Sequence, residues 1–205
     1  QVSREGRISP GDAGIWDDKH TEAWKRVVDF VHQHTDAKIG MQLGHAGRKG
    51  CEPIAWERHK PLPEDQKWKI VAPSAIPFGP GSQTPHEMNQ GDIAKAVDDF
   101  ANGAERANEA GFDMIELHAG HGYLLSSFIS PLSNKRTDSY GGTINNRMKF
   151  PLEVFQAVRK VWPDDKPISA RISAIDWDDG GNQIEDGVRV GKMFKKAGLD
   201  ILDVS

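Results

Sequence analysis

The sequence predicts an α/β protein with a parallel sheet, because short β-rich runs alternate with amphipathic helical patterns along the chain. A strand followed by a helix and another strand implies a right-handed crossover, which makes the two strands parallel. Both an open doubly wound sheet and a (β/α)8 barrel have this order of elements. Periodicity therefore leaves the choice between the two architectures open.

Four runs have the length and apolar content of strands, and they cover residues 38–43, 112–117, 167–172 and 199–204. Side chains alternate between the two faces of a strand. In the first run, Gln42 therefore shares a face with Lys38 and Gly40, while Met41 and Leu43 lie on the other face. In a barrel, this pattern places the Gln42 amide in the interior, near the mouth.

Helical periodicity separates these runs and predicts helices over residues 20–34, 92–110, 146–161 and 184–197. Asp17 or Asp18 is expected to cap the first helix and Asp92 the second, while Gly198 ends the fourth. Pro151 is compatible with the third helix only in its first turn, where a missing N–H costs little. The segment from residue 44 to 91 is long, Pro-rich and mostly polar, which is typical of a functional or flexible loop.

The two ends of the chain suggest a piece of a larger protein. The chain opens on Gln1 rather than methionine and stops at Ser205, directly after an apolar run that resembles a core strand. A strand in that position would leave unpaired backbone and exposed apolar surface. We therefore expect residues 1–205 to form a single incomplete domain, truncated at both ends.

Composition excludes several classes of partner. The formal net charge is -4 at pH 7 and there is no basic stripe, so nucleic acid and anionic membrane surfaces are poor candidates. No apolar run approaches the roughly 20 residues of a membrane span. A single cysteine, Cys51, excludes an internal disulfide framework and is typical of a protein in the reducing cytoplasm. The sequence leaves the oligomeric state open, and a homo-oligomer of the full-length protein is compatible with it.

The most informative stretch is His118-Ala-Gly-His121-Gly-Tyr123, which directly follows the strand predicted at 112–117. In parallel α/β proteins, ligands bind where the strands end and release the chain into loops. Two imidazoles can donate hydrogen bonds to one substrate oxygen, and a nearby phenol can supply a proton. These three residues are therefore candidate substrate-binding and catalytic groups.

Several motifs of this chain resemble those of the old yellow enzyme family of flavin-dependent ene-reductases. The motif His-x-x-His-Gly-Tyr-Leu-Leu lies at 118–125, and Ser-Pro-x-x-Asn-x-Arg-x-Asp-x-Tyr-Gly-Gly at 130–142. Gly-Arg-Ile-Ser-Pro at 6–10, Gln-Leu-Gly-His-Ala-Gly-Arg-Lys at 42–49 and Ala-Arg-Ile-Ser at 170–173 occur in the family's order. The resemblance covers nearly the whole chain. It implies a partial TIM (β/α)8 barrel that contains roughly the third to the sixth strand of an FMN-binding domain.

The resemblance also implies roles for two polar residues on the predicted strands. The Gln42 amide would hydrogen-bond the pyrimidine edge of FMN, since it both donates and accepts. Arg171 would face N1 and O2 of the flavin and stabilise negative charge on the reduced ring. Without the resemblance, Gln42 could equally be a buried amide bound to backbone, and Arg171 could form a structural ion pair with an interior carboxylate such as Glu116.

The implied activity has two steps, in which NADH or NADPH reduces the flavin and hydride then passes to the β-carbon of an electron-poor alkene. His118 and His121 would bind the substrate's carbonyl or nitro oxygen, and Tyr123 would protonate the α-carbon. We expect the isolated piece to bind FMN weakly or not at all and to be inactive. In such barrels, the loops that follow the last two strands bind the cofactor phosphate, and no part of residues 1–205 provides that binding site.

Two other interpretations stay open at this stage, and a third, a metal site, is not expected. The segment 42–81 is similar to a subset of the family found beside aromatic acyl-CoA hydroxylases, which makes a reductase of aryl-CoA thioesters an alternative. A non-redox barrel lyase could use the same histidines to polarise a carbonyl. A zinc site needs a third ligand, and His45, His59 and His86 fall in no recognised ligand pattern, so no metal is expected.

Overall fold

The computed structural model describes residues 1–57 and 60–205. In chain order, its helices and strands are α1 (Asp18–His34), β1 (Gly40–Leu43), β2 (Val71–Ala72), β3 (His86–Glu87), α2 (Gln90–Glu109), β4 (Met114–Ala119), α3 (Leu124–Ile129), α4 (Ile144–Arg147), α5 (Lys149–Val161), β5 (Ile168–Ile172), α6 (Ile184–Ala197) and β6 (Ile201–Val204). No helix in these described ranges is long and apolar enough to cross a membrane.

The four strands predicted from the sequence form one parallel sheet. Their order across the sheet is β1-β4-β5-β6, so consecutive strands of the chain are neighbours. The register aligns Gln42 of β1 with Glu116 of β4 and Ser169 of β5. Two residues further along the strands, His118 aligns with Arg171, which in turn aligns with Asp203 of β6.

The two faces of this sheet differ in what covers them. One face is buried against the helices, and its core contains Met41, Leu43, Ile115, Leu117, Ile168, Ala170, Phe100, Val154, Phe155 and Phe194. The other face carries polar side chains, and Gln42 on it is exposed while Glu116 and Arg171 are half-buried. A doubly wound sheet has helices on both faces, whereas a barrel wall has them only outside. The one-sided packing therefore favours the barrel that the periodicity left open.

Two predicted helix features need correction, and a third is confirmed. Asn89, not Asp92, is the cap of α2, and Asp92 completes a capping box by binding the Asn89 N–H in return. The helix predicted over 146–161 is divided into α4 and α5, and Pro151 falls in the first turn of α5 as its chemistry requires. At the end of α6, Gly198 adopts φ 106°, so its predicted role as the helix stop is confirmed.

The long segment between β1 and α2 has more structure than a loop. Its strands β2 and β3 form a small parallel ribbon, and short 3₁₀ turns occupy 47–49, 55–57 and 64–66. Cys51 in this segment is buried, and its Sγ accepts a hydrogen bond from the Trp68 N–H at 3.3 Å. The sequence did not indicate this ribbon because two-residue strands have no measurable period.

Arg147 connects α3 with the loops that precede α4 and α6. Its guanidinium, on a residue only 8% exposed, donates to the carbonyls of Ile129 and Gly142 and to Asn182 Oδ1, at 2.7, 2.5 and 3.0 Å. We expect Arg147→Met to lower the free energy of unfolding of the whole protein by about 3 kcal/mol, because it leaves buried acceptors unpaired. Urea unfolding measures this loss.

The matched control is Arg189→Met. Arg189 is 64% exposed and its ion pair with Asp186 spans 3.6 Å. Exposed pairs of this kind contribute less than about 1 kcal/mol. An equal loss in both variants would show that Arg147 has no special structural role.

Candidate active site

The chain makes a sharp turn immediately after β4. His118 lies within the strand, not after it as the sequence had predicted, and the turn begins at Gly120. His121 and Gly122 both have positive φ, of 56° and 74°. Glycine adopts this conformation freely, whereas it costs another residue roughly 1–2 kcal/mol. Tyr123 then begins the short helix α3 as its N-cap, so the side chains of the motif are turned back towards the strand end.

This turn brings the three predicted catalytic residues together. His118 Nε2 lies 3.4 Å from His121 Nδ1, and the His121 Nε2 lies 2.8 Å from Ser205 Oγ. The Tyr123 ring meets the His118 ring edge-on, with centroids 4.6 Å apart. Two imidazoles and one phenol therefore form one cluster at the carboxyl end of β4.

Burial decides the charge of His118. The residue is only 7% exposed, and burial, assisted by the neighbouring His121 and by the positive charges of Arg171 and Lys49, lowers its pKa from 6.5 to about 4. His118 is therefore neutral at pH 7. Its Nδ1 accepts a hydrogen bond from the Gly120 N–H at 3.3 Å, which assigns the ring proton to Nε2. His118 thus directs a neutral N–H donor, rather than a positive charge, towards His121.

The His118 imidazole is expected to titrate with a midpoint near pH 4. Since the unfolded chain takes up this proton near pH 6.5, the free energy of unfolding should fall as the pH drops from 6.5 towards 4, and this residue adds no pH dependence above that window. NMR titration of the histidine ring carbons measures the midpoint, with His118→Gln identifying the signal. A midpoint near 6.5 would mean that His118 is solvated.

Gln42 is held in place by a polar row across three strands. Its Nε2 donates to Glu116 Oε1 at 2.8 Å, and Ser169 Oγ donates to Glu116 Oε2 at 2.7 Å. The row lies on the face of the sheet opposite the helices, so the amide points to the barrel interior as predicted. An oriented amide of this kind can both donate to and accept from the edge of a polar ring.

Arg171 lies beside His118 on the same face but does not contact Gln42. Its Nε is 3.4 Å from Asp203 Oδ2 and 3.4 Å from Ser205 Oγ. The ion-pair partner named from the sequence, Glu116, is wrong, because Glu116 aligns with Ser169, two residues before Arg171, and is occupied by Gln42 and Ser169. The guanidinium is about one-third exposed, which leaves it available to an anionic or acceptor group on the interior face.

The remaining histidines do not add a metal site in the described part of the chain. No group of three or more His, Cys, Asp or Glu side chains in residues 1–57 and 60–205 could hold a metal ion. His45 is buried with its pKa lowered to about 4 by burial, and its Nδ1 accepts from the Gly47 N–H, so it orders the turn after β1. His86 is exposed on β3, and His59 lies outside the described residues.

The supporting contacts of three residues were not predicted from the sequence, which offered Glu116 only as a possible partner of Arg171. Glu116 orients Gln42, and Ser173 Oγ and Lys49 Nζ bind the backbone of His121 at 2.9 and 3.0 Å. Strand periodicity could have indicated two of them, because Glu116 and Ser173 are two residues from His118 and Arg171 and so share their face. Lys49 had no such signal, since its contact depends on the fold of the turn after β1.

A sequence model of the NADH:flavin oxidoreductase / NADH oxidase family matches residues 1–205, the whole chain. The chain belongs to this family. Among curated members, it is 46% identical over 204 residues to an NADPH dehydrogenase of Geobacillus sp. (strain WCH70), and 48% identical to that of Geobacillus thermodenitrificans (strain NG80-2). Each match covers 100% of this chain and 55% of the relative, so the chain spans about half the length of these family members.

Solved structures agree with this assignment and with the partial TIM barrel. A 2-naphthoyl-CoA reductase in complex with 2-naphthoyl-CoA superposes with a TM-score of 0.87 at 26% identity, covering 100% of this chain and 31% of the other. Morphinone reductase superposes with a TM-score of 0.83 at 31% identity, covering 99% and 56%. An old yellow enzyme from Pichia sp. AKU4542 gives 0.81 at 28% identity, covering 99% and 55%. The family resemblance inferred from the motifs is therefore confirmed.

Proposed function

We propose that residues 1–205 are part of one FMN-binding (β/α)8 barrel domain, in a protein that reduces electron-poor alkenes with NADH or NADPH in the cytoplasm. The observation that carries this proposal is the convergence of two imidazoles and a phenol at the end of β4, on the face that also presents Gln42 and Arg171. Family membership favours a redox enzyme over the barrel lyase. Enones and nitroalkenes fit best, since each carries an oxygen conjugated to the alkene.

The polar face of the sheet fits the cofactor chemically. The Gln42 amide, oriented by Glu116, would bind the pyrimidine edge of FMN, and Arg171 would lie near the part of the ring where negative charge accumulates on reduction. Bound FMN would supply the hydride that the side chains of this protein cannot carry. The chain's own contribution is to hold the ring, set its electrostatic surroundings and position the alkene.

His118 and His121 would bind the substrate oxygen through their Nε2–H groups. The Gly120 N–H fixes the proton of His118 on Nε2, and the bond from Nε2 to His121 Nδ1 in turn leaves the His121 proton on its own Nε2. A substrate oxygen can accept from both once it displaces His121 Nδ1 and Ser205 Oγ as acceptors. Because the imidazoles are preoriented, they stabilise negative charge that develops on this oxygen during the reaction.

Tyr123 would protonate the α-carbon. Its ring is held edge-on against His118, and the ammonium of Lys49 lies 5.3 Å from its centre. A phenol in this position lies beside the oxygen-binding pair, so it can reach the carbon next to the activated carbonyl.

Arg171→Met is expected to lower the reduction potential of the bound flavin, because it removes a cation that stabilises the reduced ring. Asp203→Asn is the matched variant, since Asp203 is the carboxylate paired with Arg171 and its neutralisation should shift the potential upwards. Redox titration of the whole protein measures both. An unchanged potential in Arg171→Met, with flavin still bound, would make Arg171 a purely structural residue.

A second candidate substrate is an aryl-CoA thioester. It is favoured by the likeness to the 2-naphthoyl-CoA reductase complex, which covers 100% of this chain. The two candidate substrate classes are distinguished by mixing the reduced whole protein anaerobically with an enone, a nitroalkene or an aryl-CoA thioester and following re-oxidation of the flavin. Re-oxidation by the enone and nitroalkene supports the first proposal, and re-oxidation by the thioester alone supports the second. No re-oxidation by any of them would refute both.

A further inference from the structure

His121 is held in an unfavourable conformation by contacts on both sides of the residue. Its φ of 56° is one that residues other than glycine avoid. Its N–H donates to Ser173 Oγ at 2.9 Å, and its carbonyl accepts from Lys49 Nζ at 3.0 Å. The two anchors come from different elements, since Ser173 follows β5 and Lys49 lies in the turn after β1. The left-handed turn is therefore fastened to both neighbours of β4.

Lys49 has the surroundings of a residue with a specific target. Its ammonium lies 4.5 Å from the centre of the Phe78 ring and 5.3 Å from that of Tyr123. Within residues 1–57 and 60–205, no carboxylate lies within ion-pair distance of it. A surface lysine with no structural role would be surrounded by water. The Lys49 ammonium instead contacts the His121 carbonyl and the rings of Phe78 and Tyr123.

Ser173 is constrained in a similar way. It follows β5 two residues after Arg171, on the same face of the sheet, and its backbone packs closely against the turn after β4. A Cβ atom on Gly120 would lie 3.1 Å from the Ser173 N and 3.3 Å from its Oγ. The backbone of Gly120 therefore lies close against Ser173, whose hydroxyl accepts from the His121 N–H at 2.9 Å.

We propose that Lys49 and Ser173 are positioning residues that hold the left-handed conformation of His121 and thereby aim its imidazole beside that of His118. The inference rests on the proposed function for its catalytic consequence, but the conformational part stands on these contacts. Without either anchor, the turn can relax to a conformation with negative φ, which moves the imidazole away from the substrate oxygen. Misplacement of a binding group by about 1 Å can cost on the order of 10²-fold in rate.

A backbone NMR signal tests the conformational part without any substrate. His121 is the one histidine of residues 1–205 that precedes a glycine, so protein labelled with carbonyl-¹³C histidine and ¹⁵N glycine gives a selective signal from the His121–Gly122 peptide. A His121→Asn variant identifies it. We expect Lys49→Met and Ser173→Ala to shift this signal, whereas Lys49→Arg and Ser173→Thr, which keep the donor and the acceptor, should restore it.

Kinetics of the whole protein test the catalytic part. Lys49→Met and Ser173→Ala should each lower the limiting rate of alkene reduction by roughly 10-fold or more, with a smaller effect on flavin reduction by NADPH. The control is Lys149→Met, since Lys149 also lies over a tyrosine ring, that of Tyr140, and donates to Ser139 Oγ, but away from the site. If both variants behave like this control and the His121 signal does not move, the proposal is overturned.

Alkene reduction by His121→Ala distinguishes a failure of this proposal from a failure of the proposed function. If His121→Ala leaves alkene reduction intact, His121 does not bind the substrate oxygen and the proposed function of this residue fails. The NMR signal would still report whether Lys49 and Ser173 hold the turn. If His121→Ala abolishes alkene reduction while Lys49→Met and Ser173→Ala do not affect it, the function stands and the positioning role is refuted.

Discussion

His118→Ala in the whole protein is expected to slow alkene reduction by about 10²–10³-fold, the usual effect of removing one donor to an oxyanion. The neutral imidazole donates through Nε2, so its loss leaves the developing negative charge on the substrate oxygen with one partner fewer. Flavin reduction by NADPH should suffer far less, because no oxyanion forms in that step. Stopped-flow absorbance measures the two half-reactions separately.

Two variants make this result specific. His118→Asn keeps an N–H donor on a shorter side chain and should recover part of the rate. His34→Ala, at an exposed position at the end of α1, should behave as the wild-type protein. If His118→Ala slows both half-reactions equally, the histidine supports the flavin site as a whole rather than the substrate oxygen.

Tyr123→Phe is expected to lower enone turnover strongly while substrate still binds. The change keeps the aromatic ring and its edge-on contact with His118 but removes the proton that the α-carbon requires. Nitroalkenes should be affected less, because the nitronate formed by hydride addition can leave and take its proton from water. Product formation from one enone and one nitroalkene, followed in parallel, measures the difference.

The chain supplies a matched control for this substitution in its other tyrosine, Tyr140. The Tyr140 hydroxyl donates to Glu153 Oε2 at 3.1 Å, and the Tyr140 ring packs edge-on against that of Phe128, away from the site. Tyr140→Phe should therefore leave the ratio of enone to nitroalkene turnover unchanged. Equal losses on both substrates in Tyr123→Phe would reduce Tyr123 to a packing role.

The large elements of this fold were predictable because each depends on local chemistry. The four strands and the four long helical patterns follow from apolar periodicity, and the stop at Gly198 follows from the ease with which glycine adopts positive φ. The cap of α2 was misassigned because Asn89 and Asp92 are both good capping residues. Only the geometry shows that Asn89 occupies the cap and Asp92 the third helical position.

Whether the sheet is a barrel wall was not predictable from periodicity. Alternation places Gln42 and Met41 on opposite faces, but it does not say that the long helices α1, α2, α5 and α6 share a core with the face of Met41. That fact depends on contacts between residues far apart in the chain. The family motifs supplied what the periodicity could not, because they carry information about the complete barrel.

The candidate site, like the fold, was predictable only where local residue type and position determine it. The residues proposed to bind ligands, such as His118 and Arg171, were predicted from residue type, from their place at strand ends and from the family motifs. Their supporting contacts were not, because Lys49 reaches His121 across 72 residues of chain and Asp203 reaches Arg171 across a strand pair. Glu116 was assigned to the wrong partner because the register between β4 and β5, which offsets it from Arg171 by two residues, cannot be deduced from the sequence of either strand alone.

Anaerobic re-oxidation of the reduced wild-type protein by an enone tests directly whether the whole protein uses this cluster to reduce an alkene. We expect the purified protein to contain flavin and NADPH to bleach it. An enone should then restore the flavin absorbance at a saturable rate, while the saturated ketone appears in equal amount. A reduced flavin that stays bleached in the presence of enones and nitroalkenes, with the protein folded and the cofactor bound, would contradict it.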